Sequence, residues 1–358
     1  MQALRYHLKN NGKYALEINN IPTPRPTQGQ VLVRVAFCGI CGSDLARYRQ
    51  SLQPTPVLRK LLGRISHVPG HEISGVVDAL GPMVPHAWSD RVPVKGTRVA
   101  INPIIGCRVC SSCRSGNWNQ CSSSRFKLIG LQRDGGFAEA VVVPFDHLVR
   151  IPPENDLPLQ IAAMAEPLAV AVHAVAKAGI TERRARITVI GDGTLGLLVC
   201  HILELRGCHN VRIIGRHPSR LALARKFGAT SFLSGEIDPA EKSKVVFQAA
   251  GSVLALETGL QLLSTNGHMV CLGYVDPTKS GMDPTIINRL IRENQRLSGS
   301  FGYSRDSFLE ACQGLMAGRF QIAPLISGTI SLANTRKNGF DAFVRRTRWA
   351  GKLLVSPL

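Results

Sequence analysis

No stretch of 18 apolar residues in this chain is free of charge. Glu166, Lys177, Asp192 and Glu204 interrupt the longest candidates, so no membrane span is expected. The opening residues, Met1-Gln-Ala-Leu-Arg-Tyr-His, hold no apolar core, which argues against a secretory signal. Tandem repeats and low-complexity tracts are also missing. Acidic residues are scarce: 24 Asp and Glu stand against 43 Lys and Arg in 358 residues, a formal charge of +19. Such a surface favours anionic ligands, nucleotides among them. The bases are scattered. Only Arg336, Lys337, Arg345, Arg346 and Arg348 form a modest cluster, and no run of like charge reads as a nucleic-acid-binding tail. With 44% apolar and 19% charged residues the composition is that of an ordinary globular protein, and the length suits two domains. Ten cysteines without an export signal point to thiols and metal rather than disulfides, and to the cytoplasm.

The texture changes along the chain. After a Pro-rich turn region at Ile21-Pro-Thr-Pro-Arg-Pro, short strands are expected at Val31–Phe37, Val76–Gly81, Thr97–Asn102, Val141–Val143 and Leu148–Ile151. Residues 1–160 therefore read as mostly β with irregular loops. Ile161 to Ala178 reads as a helix. Then apolar strands at 186–190, 211–214, 244–250 and 268–274 alternate with helices, which means a parallel sheet covered on both faces. The alternation fades near residue 298, and 299–358 is expected to rejoin the first domain. The fold class is thus α/β, a mostly-β domain with a doubly wound parallel-sheet domain over 161–298.

The most specific signal is Cys107-x2-Cys110-x2-Cys113-x7-Cys121. Four thiolates this close can wrap a tetrahedral Zn²⁺ and leave it no open position, so the ion would be structural. An iron–sulfur cluster or free thiols are the alternatives. A second set is dispersed. Cys41 lies in Gly39-Ile-Cys-Gly-Ser43-Asp44, and His71 in Gly70-His-Glu72. A thiolate, an imidazole and a carboxylate (Glu72 or Glu166) suit a zinc with room for an exchangeable ligand. Cys38 competes with Cys41, and spacing alone does not choose between them.

Residues 187–196 read strand, then Gly191-Asp-Gly193-Thr194-Leu195-Gly196, then helix. In that setting G-x-G-x-x-G is a dinucleotide fingerprint: a tight turn, a close backbone approach to the pyrophosphate, and close packing of helix on strand. The acid expected about 20 residues later is missing, for none lies between Glu204 and Glu236. Gly215 stands at the end of the second strand, with Arg216 and Arg220 beside it. Guanidinium groups there suit a 2′-phosphate, so NADP(H) is preferred and NAD(H) is the alternative.

These motifs, with Ala165-Glu166-Pro167-Leu168, resemble zinc-dependent medium-chain alcohol dehydrogenases across almost the whole chain. Glu166-Pro-Leu is more like the sorbitol, threonine and glucose dehydrogenase branch than the liver type, which carries cysteine there. The resemblance implies a GroES-like catalytic domain, with a structural zinc lobe near 106–122, split in sequence around a Rossmann domain. It implies two zinc ions per chain. Cys41 and His71 would hold the catalytic one, with Glu72 and Glu166 sharing the carboxylate role. Asp44 would lie behind the ligands, and Ser43 would pass the alcohol proton. A homodimer or homotetramer acting on a small alcohol or ketone is implied. One departure is clear: the histidine that many relatives place three residues after the serine is Ala46 here. Two rivals differ in class. One is a zinc-bearing binding protein that has lost activity, and the other is a zinc hydrolase using Glu72 or Glu166 as base.

Overall fold

The computed structural model describes residues 1–8, 14–52, 67–84, 94–275, 285–345 and 351–357. Arg346 and Arg348 of the basic cluster lie outside them, as do parts of two segments (45–69 and 274–300) expected to shape a substrate pocket. Two compact units are present: Met1–Glu166 with Phe308–Leu358, and Pro167–Ser307.

The first unit begins with an antiparallel hairpin, β1 (Gln2–Leu8) and β2 (Tyr14–Asn20). Its main sheet is built on β3 (Gln30–Gly39), whose Val31, Leu32, Val33, Val35 and Ala36 are all buried while Arg34 is exposed, so both faces of the strand are largely covered. β3 pairs antiparallel with β4 (Glu72–Leu80), and the chain continues through β5 (Arg98–Ile101), β6 (Ile104–Ile105), β7 (Lys127–Leu128), β8 (Ala140–Pro144) and β9 (Leu148–Ile151). Strands β5 and β9 extend the sheet beyond β4, while β8 pairs with β3. Helix α1 (Gly42–Leu52) follows β3 directly.

The second unit holds six parallel strands: β10 (Ile187–Ile190), β11 (Val211–Gly215), β12 (Thr230–Leu233), β13 (Ser243–Gln248), β14 (Leu263–Cys271) and β15 (Arg296–Gly299), in the order β12-β11-β10-β13-β14-β15. This is the doubly wound Rossmann order, which reverses at β10 and places a ligand site beyond the carboxyl ends of the strands. Helix α2 (Ala165–Ala178) leads into the unit. Helix α3 (Thr194–Leu205) is buried from Gly196 to Leu203, so it is apolar nearly all round. Helix α4 (Pro218–Lys226) follows β11, and Ser252 caps α5 (Val253–Leu262) by accepting the Ala255 N–H at 3.2 Å.

The chain then returns to the first unit, where β16 (Ile326–Ser331) pairs with β17 (Lys352–Ser356), and β17 with β3 through Leu354↔Gly39 and Val355↔Cys38. The core there joins residues far apart in sequence: Phe340 packs edge-on against Phe137 and Tyr48, with centroids 5.9 and 5.2 Å apart.

The structure departs from the sequence reading in several places. The helix expected over 161–178 starts as a turn at Leu159–Ala162 and resumes at Ala165. Glu72, read as a loop residue, is the first residue of β4. The hairpin β1–β2 and the strands β6, β7, β12, β15, β16 and β17 have no counterpart in the sequence reading; several are only two to four residues long, too short to show a period.

Candidate metal and nucleotide sites

The cysteine lobe hangs from the β6–β7 pair. Sγ of Cys107 lies 3.9 Å from that of Cys113, and Sγ of Cys110 lies 4.0 Å from that of Cys121. All four sulfurs lie within 4.8 Å of one another. These separations are far beyond a disulfide bond. They match the edge of a tetrahedron with 2.3 Å zinc–sulfur bonds, which is about 3.8 Å. A helical turn at Ser111–Arg114 and a 3-10 turn at Trp118–Gln120 bring the sulfurs together, and Arg108 and Gly116 take left-handed backbone to do so. Gly106 is required, because a Cβ there would meet Cys113 Sγ at 2.6 Å. The backbone N–H groups of Cys110 and Val109 hold the Cys107 thiol down to about 6, whereas burial pushes Cys113 up to about 12. Four sulfurs at these separations fit a tetrahedral zinc. Cys113→Ser is expected to remove one zinc per chain and to lower the melting temperature. Metal analysis beside thermal unfolding checks this.

The second set is built where β3 and β4 end side by side. Donor atoms of Cys41, His71 and Glu72 lie within 4.8 Å of one another. Cys41 sits at the turn into α1, where the Asp44 carboxylate accepts its N–H at 3.0 Å. The other Asp44 oxygen lies 3.8 Å from His71 Nδ1. Burial alone would push the His71 imidazolium down, but the charges of Asp44 and Cys41 override it and hold it well above the ordinary range. Glu72 Oε2 is buried and makes no hydrogen bond, whereas His71 turns Nδ1 toward Asp44. The Cys41 sulfur, the other ring nitrogen of His71 and the unpartnered Glu72 oxygen are the donor set of a zinc site, with Asp44 placed to hold the imidazole from behind. Glu166, also buried, acts through its charge on both His71 and Lys352 but does not join the converging three.

Cys38 is elsewhere. It is fully buried in the sheet, within 3 Å of where a Cβ on Gly70 or Gly136 would stand, and burial raises its thiol well above the ordinary range. It is a packing residue. Gly70 itself has φ +97°, and a Cβ on Gly130 or Gly135 would strike its carbonyl oxygen, so three glycines let the His71 loop pass close to its neighbours. Ser43 and Ala46 are exposed on the first turns of α1.

One residue of this site escaped the sequence reading. Lys352, on β17, places Nζ 2.5 Å from Glu72 Oε1 and donates to the Ile40 carbonyl at 3.1 Å. Glu72 is 0% exposed and Lys352 5%. Burial works against the Lys352 charge, yet Glu72, Cys41 and Glu166 together raise it above the ordinary lysine range, so the ammonium keeps its proton. A lone lysine ahead of Leu-Leu-Val carries no signal of a partner 280 positions earlier.

In the second unit the glycine turn joins β10 to α3. Gly191 has φ +114°, and a Cβ on Gly196 would strike the Gly191 carbonyl oxygen. Gly193, Thr194 and Leu195 form the N-terminal end of α3, where free N–H groups can meet a phosphate. Gly215 ends β11, Arg216 is exposed beyond it, and Arg220 lies in the first turn of α4.

Comparison with known proteins agrees with this architecture. Residues 27–153 match the alcohol dehydrogenase GroES-like domain, and residues 194–316 match the zinc-binding dehydrogenase family. Galactitol 1-phosphate 5-dehydrogenase of Escherichia coli K12 is 34% identical over 92% of this chain and 93% of its own length. (R,R)-butanediol dehydrogenase of Saccharomyces cerevisiae is 28% identical over 100% of this chain and 98% of its own. A crystal structure of a putative zinc-binding dehydrogenase from Sinorhizobium meliloti bound to NADP superposes with a TM-score of 0.81, at 27% identity and 99% coverage of both chains.

Proposed function

The chain belongs to the zinc-dependent alcohol dehydrogenases, oxidoreductases acting on CH–OH groups, and on that premise we propose that it interconverts a secondary alcohol or polyol and its ketone. NADP(H) is the preferred partner in this reading and NAD(H) the alternative, because Gly215 brings no carboxylate and Arg216 and Arg220 follow it. The convergence of Cys41, His71 and Glu72 carries the proposal. These three would hold the catalytic zinc, with Glu166 reached through a water, and Cys107, Cys110, Cys113 and Cys121 would hold a second, structural ion. Zinc supplies Lewis acidity toward the substrate oxygen, and the nicotinamide supplies hydride chemistry.

The chain's own residues do the rest. Asp44 fixes the Cys41 backbone and faces His71 Nδ1, keeping both ligands aimed. Lys352 holds Glu72 from behind. Ser43, two residues past Cys41, takes the hydroxyl proton, and with Ala46 in place of histidine that proton leaves through water or a cofactor hydroxyl. The chain is read as cytoplasmic. No helix among the described residues is long and apolar enough to cross a membrane.

A homodimer or homotetramer is also proposed. β15 is the edge strand of its sheet and exposes Leu297, and Ile287 and Ile291 stand exposed on the helix before it. Sedimentation gives the mass directly.

The test of function is a panel of polyols, sugar alcohols and simple secondary alcohols with NADP and with NAD, followed at the nicotinamide absorbance. Turnover confined to one class names the substrate; none with any member, in zinc-loaded protein, overturns the reading. Arg216→Ala is expected to raise KM for NADPH roughly tenfold, the worth of one charge-assisted contact, and to change KM for NADH little. Equal effects on both would remove the role of Arg216.

A further inference from the structure

The usual NAD-binding fingerprint places an acid at the end of the second strand, where it holds the ribose 2′-hydroxyl. Gly215 occupies that place here, yet a carboxylate is present all the same. It comes from Asp192, the residue between the first two glycines of the turn. Asp192 Oδ2 accepts the backbone N–H of Arg216 at 2.9 Å and of His217 at 2.7 Å. His217 Nδ1 lies 2.9 Å from the same oxygen and 3.2 Å from Oδ1. Asp192 is only 6% exposed. A Cβ on Gly215 would stand 2.5 Å from Asp192 Cβ, 2.6 Å from its Cγ and 2.7 Å from its Oδ2. A side chain at 215 and the Asp192 carboxylate therefore exclude each other, and glycine at 215 makes room for an acid from the neighbouring loop.

Two consequences follow for an adenosine ribose. The Arg216 and His217 N–H groups, which an anion at this turn would otherwise use, are already bonded to Asp192. The Asp192 carboxylate also stands at the carboxyl end of β11, bonded to the backbone of the residue that carries the first of the two guanidinium groups. Oδ2 carries three of its four contacts, so Oδ1 keeps accepting capacity for a hydroxyl.

We propose that Asp192 reads the ribose 2′ position of the cofactor: it stands in for the acid absent from position 215, accepts a 2′-hydroxyl, and opposes the 2′-phosphate that Arg216 and Arg220 draw in. The preference for NADP(H) is thereby narrowed, and NAD(H) remains in use. This inference rests on the reading of residues 191–220 as the nucleotide site.

The experiment is calorimetric titration of the full chain with 5′-AMP and with 2′,5′-ADP, which needs no turnover. Asp192→Asn is expected to shift the ratio of the two dissociation constants at least about tenfold toward 2′,5′-ADP. Gly215→Asp alone is expected to lower the melting temperature through the clash. Asp192→Gly with Gly215→Asp moves the carboxylate to the strand end; it is expected to recover that temperature and to weaken 2′,5′-ADP roughly tenfold or more while keeping 5′-AMP. A ratio within twofold of the unchanged chain in Asp192→Asn, or an equal loss of both nucleotides, makes Asp192 a merely structural residue and overturns the proposal. So does a Gly215→Asp chain as stable as the original. Failure of the unchanged chain to bind either nucleotide removes the nucleotide site itself, a result separable from the others.

Discussion

His71→Ala is expected to lower turnover by more than about a thousandfold, because a metal acting on the substrate oxygen is worth several kcal/mol in the transition state. The same variant should hold one zinc per chain fewer than the unchanged protein, for the four-cysteine lobe does not depend on His71. Cys41→Ser should behave alike, and Cys38→Ser should not, because Cys38 is packed in the sheet and away from the converging set. The paired readout separates a lost ligand from a lost fold: a misfolded chain would lose both ions. Turnover within tenfold of the original, or retention of both ions in His71→Ala, would end the proposed assignment of the catalytic metal.

Lys352→Met is expected to cost about 3–5 kcal/mol, the usual penalty for stranding one partner of a buried ion pair. In melting temperature this is roughly 10 °C for a unit of this size. Glu72 is wholly buried, and among the described residues Lys352 is the cation bonded to it. The double variant Lys352→Met with Glu72→Gln should recover most of the loss, since it removes the stranded charge. Lys352→Arg should recover part. The pH dependence has a definite sign. The Lys352 ammonium is held above its ordinary range. Its contribution is then complete below the ordinary lysine pKa and fades only as pH rises through the raised value, so the deficit of Lys352→Met should be constant across neutral pH. A melting temperature unchanged by Lys352→Met would show the pair to be dispensable.

Much of the architecture can be read in advance because it is written in local periods. Strand, glycine turn and helix alternate from residue 187 onward, and a parallel sheet follows from that alternation. The Cys107, Cys110, Cys113 and Cys121 spacing is short enough that chain geometry itself forces the sulfurs together. Cys41 and His71 are harder: their spacing left Cys38 equally eligible, and only the register of β3 against β4 turns Cys38 into the sheet and leaves Cys41 at its end. Two side chains had no local signal. Lys352 meets Glu72 because β17 pairs with β3, a contact set by tertiary packing. Asp192 looks like a filler between glycines, and its reach to the end of β11 depends on how far two parallel strands lie apart. The lack of an acid after Glu204 was legible, but its replacement from a neighbouring loop was not.

The interruption of the first unit by residues 167–307 bears on how the molecule is made. The inserted unit is continuous in sequence, so a growing chain can fold it as soon as it emerges. The host is different: Glu72 is synthesised early and spends the manufacture of 280 further positions without its ammonium counterpart. An acid destined for complete burial must stay hydrated through that interval, so the pocket around Glu72 reaches its finished form only after the whole inserted unit has been made.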